Sequence, residues 1–255
     1  MLFLHDDKIQ SMDELSLPGK TILVTGAARR IGRALALACA RAGANIIIHY
    51  NESEEEAAEL QKEIESLDRR AWMIQADLGK PASIEKLISQ AIKAGPIYGL
   101  VNNAAIFASL TMQDATLADW ERHLAVNLTA PFLLSQAFAK QVPANESGRI
   151  VNLLDWRALR PGADHFPYTV SKSALAAMTR SLAIALAPNI TVNGLALGAI
   201  LPPSDKPVNE KILKDIPAKR WGGPKEIADA LIFLLAGSAY ITGEIIQIDG
   251  GRHLI

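Results

Sequence analysis

The sequence predicts one doubly wound, mostly parallel α/β sheet of seven strands with helices on both faces. Three observations carry that expectation. The stretch Thr21 to Tyr50, TILVTGAARRIGRALALACARAGANIIIHY, reads as strand, glycine turn, helix and strand, the crossover unit that parallel strands require. The rest of the chain goes on alternating short apolar runs with helical segments, with no sharp change of composition, low-complexity tract or internal repeat. Finally, 255 residues that are 49% hydrophobic are more economically folded as one large α/β domain than as two small ones.

Residues 1–18 are expected to form a short leader that Pro18-Gly19 turns into the domain proper, 19–255. Thr21 to Thr25 is the first strand, β-branched and short enough to be fully buried. Gly26 to Gly32 turns into Ala34–Ala40, a run of helix formers that should stop around Gly43, and Ile46-Ile47-Ile48 is the second strand. Ser53 to Arg69 reads as an acidic-to-basic helix with Ala57, Leu60, Ile64 and Leu67 on one face, followed by a third strand, Trp72-Met73-Ile74, that Asp77 ends. A helix from Ala82 to Ala94 leads to Gly99-Leu100-Val101 and the turn Asn102-Asn103-Ala104-Ala105. Leu117 to Gln141 is a long helical region that Pro131 kinks or breaks. Arg149 to Leu154 is the fifth strand, Tyr168 to Leu186 a helix and Ile190 to Leu195 the sixth strand. A loop with Pro202, Pro203 and Pro207, helices near 209–215 and 224–236, and a last strand, Ile245 to Ile248, complete the chain, with a substrate loop expected around 198–216. Ligands of such sheets bind beyond the carboxyl ends of the strands, where Gly26, Asp77, Asn103 and Asp155 all fall.

Composition narrows the function classes. A formal net charge of −1 carries no nucleic-acid signature. Cys39, the only cysteine, excludes a disulfide within the chain and reads as a buried inert thiol. The five histidines are scattered without ligand spacing, so no metal site is expected. The opening MLFLHDDKIQ is too short an apolar run for a signal sequence or a membrane span, and the expectation is a cytoplasmic protein with no membrane partner.

A glycine turn between strand and helix lets a diphosphate approach free backbone N–H groups and the positive end of the helix dipole, although such junctions also serve simply as tight turns. Its weight comes from combination with Tyr168-Thr169-Val170-Ser171-Lys172, a spacing that puts a phenol and an ammonium on one helical face. A tyrosine with an ordinary pKa near ~10 needs a neighbouring positive charge to favour its phenolate, and Lys172 is the expected source. The plain alternative is a surface tyrosine beside a solvated lysine.

Thr25-Gly26-Ala27-Ala28-Arg29-Arg30-Ile31-Gly32, Asn102-Asn103-Ala104-Ala105, Asn127 in Val-Asn-Leu and Tyr168-x-x-x-Lys172 together resemble the short-chain dehydrogenase/reductase family, from about Gly19 to Gly251. The resemblance implies a Rossmann domain with a nicotinamide cofactor. It implies Tyr168 as catalytic acid/base, Lys172 holding the nicotinamide ribose, Asn127 supporting a proton relay, and Asp77 and Leu78 beside the adenine. The remaining cofactor contacts it implies are Gly26, Arg29, Arg30, Ile31, Gly32, His49, Tyr50, Asn51, Ser53, Asn103, Ala104 and Ala105. It also implies a homo-oligomer, dimer or tetramer, built on the helices at 117–141 and 168–186, whose apolar faces could equally be internal.

The chain departs from the general family pattern at three places. Arg30 replaces the central glycine of the turn, Asp155 stands where the usual catalytic serine would, thirteen residues before Tyr168, and Leu197-Gly198 replaces Pro-Gly. The first two, with His49-Tyr50 and with Phe107 four residues after Asn103, resemble the pteridine reductase subgroup. That resemblance implies NADPH-dependent reduction of a pterin or dihydropterin, with Arg30, Phe107, Asp155 and Tyr168 around the substrate. The residue chemistry is compatible with it: Arg30 offers a fork of donors, Asp155 can accept from a heterocycle's amino group, and Phe107 offers a face for stacking. Each has a plain reading too, as a solvated arginine, a turn-capping aspartate and a core phenylalanine. Trp156 and Trp221 are further candidates for the pocket wall, and His165 reads as a polar helix-start residue. No carboxylate occupies the end of the second strand, where Tyr50 stands, so NADP(H) is expected over NAD(H), with Arg29, His49 and Ser53 as donors to a 2′-phosphate and Glu52 as an opposing charge. The expected activity is reduction of a small-molecule C=N bond. Reduction of a carbonyl, such as a 3-oxoacyl thioester or ketone, is the alternative, and a non-catalytic NADP-binding scaffold is the third reading.

Overall fold

The computed structural model describes residues 15–202 and 211–255. Residues 1–14 of the leader expected at 1–18, and Pro203 and Pro207 of the proline-bearing loop, lie outside the described residues. Seven strands form one sheet: β1 (Thr21–Val24), β2 (Asn45–Tyr50), β3 (Ala71–Gln75), β4 (Gly99–Asn102), β5 (Gly148–Asp155), β6 (Ile190–Leu197) and β7 (Ile245–Ile248). Their order is β3-β2-β1-β4-β5-β6-β7, and every neighbouring pair is parallel. The chain therefore starts in the middle, winds to one edge, returns and winds to the other. The reversal between β1 and β4 opens a crevice beyond their carboxyl ends, where ligands of such sheets bind.

The strand runs are continuously apolar because both faces are covered. On β1, Ile22 and Val24 face one core with Leu35 and Leu231, while Leu23 faces the other with Leu87 and Leu134, the alternation that strand geometry imposes. The first core is closed by α1 (Arg30–Arg41), α2 (Glu54–Glu65) and α8 (Pro224–Ala236). The second is closed by α3 (Pro81–Ala91), α5 (Ala130–Gln141) and the end of α6 (Phe166–Leu186). Two short helices, α4 (Leu117–Leu124) and α7 (Lys211–Lys214), complete the set.

Two helices differ from the sequence expectation. The helix expected over Ser53–Arg69 stops at Glu65, and Asp68 takes a left-handed conformation that no helix continues through. The region 117–141 is interrupted ahead of Pro131 rather than at it. Ala125–Thr129 widens into a π turn in which the Ala130 N–H reaches the Ala125 carbonyl, and α5 then starts with Pro131 in its first turn, where no N–H is needed. This π turn carries Asn127 and buries it completely. Among the described residues, no helix is long and apolar enough to cross a membrane.

Candidate active site

Two clefts meet at the carboxyl edge of the sheet, and Arg30 and Ile31 line both. The first, of about 380 Å³, runs from the β1–α1 turn over the ends of β2 and β3 to the segment after β4. Gly26, Arg29, Arg30, Ile31, Gly32, His49, Tyr50, Asn51, Ser53, Asp77, Leu78, Asn103, Ala104 and Ala105 all line it; Lys172 does not. The start of α1 has no side-chain cap and no acidic residue in its first turn, so its leading N–H groups and dipole face the cleft unopposed. That donor set fits a diphosphate.

The turn is braced from behind. Thr25 Oγ1 accepts the N–H groups of Asn103 (2.9 Å) and Ala104 (3.0 Å), and Asn103 Nδ2 donates to the carbonyls of Thr25 (2.8 Å) and Gly26 (3.2 Å). Asn103 thus lines the cleft while both its N–H and its side-chain amide are spent on bracing the turn. Gly26 adopts φ +61° and Arg30 φ +53°, the latter a left-handed strain at the position where the general pattern has glycine. The Arg30 guanidinium donates to the Pro202 carbonyl at 2.9 Å, tying the segment after β6 to the glycine turn.

His49 is not a donor to a 2′-phosphate, contrary to the sequence expectation. The Gly26 N–H donates to its Nδ1 at 2.9 Å, so Nε2 carries the proton and donates to the Ala76 carbonyl at 3.0 Å. Both nitrogens are used inside the protein, and burial brings the pKa down to about 4. The ring is a neutral strut between three strand ends. Because the unfolded state binds this proton more readily, its contribution is complete above the ordinary pKa of about 6.5 and is lost as pH falls towards 4. Between about pH 7 and pH 5 His49 should cost the fold about 2 kcal/mol, and His49→Gln should flatten that part of a pH–stability curve. An unchanged slope in the variant would contradict the assignment.

The 2′-phosphate end is mixed in charge. Arg29 pairs with Glu56 at 3.4 Å, Ser53 starts α2 with its hydroxyl unused in capping, and the first turn of that helix holds Glu54, Glu55 and Glu56. Arg122, from α4, also lines the cleft and was missed in the sequence because only the fold brings it there.

The second cleft, of about 620 Å³, contains Tyr168, Asp155, Phe107, Trp156 and Trp221. Tyr168 donates its hydroxyl to Asp155 Oδ2 at 3.2 Å, while Asp155 Oδ1 accepts the Arg157 N–H at 2.9 Å. Asp155 therefore caps the local turn and at the same time meets the Tyr168 hydroxyl. Burial, and then the Asp155 carboxylate, push the Tyr168 pKa well above its ordinary value. This corrects the expectation that Lys172 favours the phenolate. Lys172 is buried, its Nζ donates to the Leu153 carbonyl at 2.6 Å and lies 5.9 Å from the Tyr168 ring centroid, and burial brings its pKa down to about 8. In this state the phenol is protonated.

Asn127 does not touch Tyr168's hydroxyl. Its amide is spent on both backbone groups of Ile106 (2.9 and 3.0 Å) and on the Ser171 hydroxyl (3.0 Å), which in turn donates to the Tyr168 carbonyl at 2.7 Å. Phe107 is 57% exposed, not core packing. Its ring lies edge-on to Tyr168 (4.7 Å between centroids) and is stacked on His165 at 4.2 Å and 12°. His165, read as a helix-start residue, thus also backs the aromatic wall. Arg157 and Arg252 line the cleft as well and escaped sequence reading, because nothing local distinguishes them from surface arginines.

A fold of this order, with a phosphate-binding turn at the reversal point and a tyrosine and lysine one turn apart beside it, defines a nucleotide-dependent oxidoreductase architecture. A family model described as Enoyl-(Acyl carrier protein) reductase matches residues 26–253, and the chain belongs to the short-chain dehydrogenase/reductase family. It is 34% identical to a 3-oxoacyl-acyl-carrier-protein reductase of Synechocystis sp. over 92% of this chain and 98% of that one. It is 36% identical to the 2-dehydro-3-deoxy-D-gluconate 5-dehydrogenase of Bacillus subtilis, over 94% and 96%. Among solved structures it resembles FolM Alternative dihydrofolate reductase 1 from Brucella canis complexed with NADP, with a TM-score of 0.89, 35% identity and coverage of 94% and 96%.

Proposed function

We propose that the chain is an NADP(H)-dependent reductase that reduces a C=N bond of a pterin-like heterocycle. The observation that carries the reading is the protonated Tyr168 hydroxyl held against the Asp155 carboxylate in a cleft with aromatic walls. The cofactor supplies the hydride. Asp155, fixed through Oδ1 by the Arg157 N–H, exchanges the Tyr168 hydroxyl on Oδ2 for an amino or ring N–H group of the substrate. The freed hydroxyl would then turn to the substrate nitrogen and give it the proton that reduction of the C=N bond requires, and solvent would reprotonate the phenolate. Lys172 would hold the cofactor ribose with the N–H groups that Leu153 leaves free. Phe107 stacks on the ring with the face His165 does not cover.

The second reading, carbonyl reduction, is favoured by the similarity to the Synechocystis 3-oxoacyl-acyl-carrier-protein reductase. It keeps every cofactor contact and changes only what meets Asp155. A developing alkoxide wants donors, and a carboxylate beside it is a repulsive neighbour. NADPH oxidation should be measurable with dihydrobiopterin or dihydrofolate and small with an acetoacetyl thioester; the reverse order would transfer the assignment to the carbonyl reductases.

The cofactor preference is for the 2′-phosphorylated form, with Arg29 exchanging Glu56 for the phosphate. Arg29→Ala should lower the NADPH-to-NADH ratio of kcat/KM about tenfold, the scale of one charge-assisted contact at a partly open site. Comparable kcat/KM values for the two cofactors in the wild type would overturn it.

A further inference from the structure

We propose that the substrate carries a carboxylate beyond its reacting ring and that Arg252 receives it. This rests on the reading of the second cleft as the substrate site. Three arginines line that cleft, and two are already engaged: Arg30 with the Pro202 carbonyl, and Arg157 with Asp164 (2.7 Å) and Asp155 (3.5 Å). Arg252 has no ion-pair partner among the described residues. Its guanidinium lies 4.2 Å from the Trp156 ring centroid, and Arg157 lies 4.9 Å from the same ring. The Trp156 ring thus holds both guanidiniums by its π system, and since Arg157 is committed to Asp164 and Asp155, Arg252 is the one whose N–H groups are left to donate to a carboxylate.

The chain holds Arg252 there with a dedicated turn. Asp249, at the end of β7 and almost fully buried, accepts the Gly251 N–H at 3.0 Å and the His253 N–H at 2.8 Å, and its carboxylate also contacts the His253 ring. The short 3-10 turn Arg252–Leu254 follows, and Arg252 at its start lines the cleft. Burial, then the positive charge of Arg157, work against the Arg252 cation, so an incoming anion relieves an existing cost. A cleft of 620 Å³ is also larger than a bicyclic ring alone requires.

The test separates tail recognition from turnover. Binding of p-aminobenzoyl-glutamate and of its dimethyl ester to the NADP-loaded protein is measured by calorimetry, in the wild type, Arg252→Gln and Arg252→Lys. The diacid should bind the wild type about tenfold tighter than the ester, the difference should vanish in Arg252→Gln, and Arg252→Lys should restore part of it. In turnover, Arg252→Gln should raise KM for dihydrofolate about tenfold and leave the uncharged dihydrobiopterin within about twofold. Equal wild-type affinities for diacid and ester, or a preference that survives in Arg252→Gln, would overturn the proposal. A preserved tail preference without turnover of either pterin would sink the reduction chemistry and leave the anion subsite standing.

Discussion

Tyr168→Phe is expected to lower kcat by about 10²–10⁴-fold with NADPH affinity kept within about twofold, because only the proton donor is removed. The ring itself is 7% exposed and packs edge-on against Phe107, contacts that phenylalanine keeps. Asp155 loses one partner and retains the Arg157 N–H, so the carboxylate stays in place. Stopped-flow hydride transfer and NADPH titration separate the two effects. A variant holding more than about a tenth of the wild-type kcat would remove Tyr168 from the chemistry. Lys172→Ala should behave differently and lose both affinity and rate, since the proposed function gives its ammonium, held on the Leu153 carbonyl, the cofactor ribose as a further partner.

The second large effect is expected from Gly32→Ala. A β-carbon there would stand 2.1 Å from the Gly26 carbonyl oxygen and 2.6 Å from Asn103 Nδ2, inside the bracing of the phosphate turn. Neither atom belongs to a flexible side-chain end: one is backbone, and the other is locked by two hydrogen bonds. Overpacking of this kind costs about 1–3 kcal/mol, and the displaced turn should lose NADPH affinity as well. Thermal unfolding with and without NADPH reads both quantities. Wild-type Tm and Kd would show that the turn is looser than its hydrogen bonds indicate.

The architecture was legible because the strands are short apolar runs buried on both faces and the helices between them carry their own start and stop signals. β7 and α8 fall where the pattern puts them. The phosphate turn and the Tyr168/Lys172 pair were legible because each is a local spacing. What sequence could not show was direction and partnership. His49 reads as a donor near a phosphate until the parallel strand ends bring Gly26 and Ala76 to its two nitrogens. Lys172 reads as the charge that ionises Tyr168 until burial and Asp155 reverse the sign. Arg122, Arg157 and Arg252 reach the clefts through α4, the turn after β5 and the turn after β7, and no local spacing marks them.

The central claim is that Asp155 in place of a hydroxyl donor makes this a heterocycle reductase. The measurement that tests it most directly is the ratio of kcat/KM for dihydrobiopterin to that for an acetoacetyl thioester, in the wild type and in Asp155→Ser. The wild-type ratio should favour the pterin, and the substitution should reduce it by lowering pterin turnover and raising thioester turnover, because a serine hydroxyl can donate to a developing alkoxide and cannot offer a fixed charge to a heterocycle's N–H groups. A wild-type ratio favouring the thioester, or a ratio that Asp155→Ser leaves unmoved, would contradict the account and leave Asp155 as the cap of the Arg157 turn.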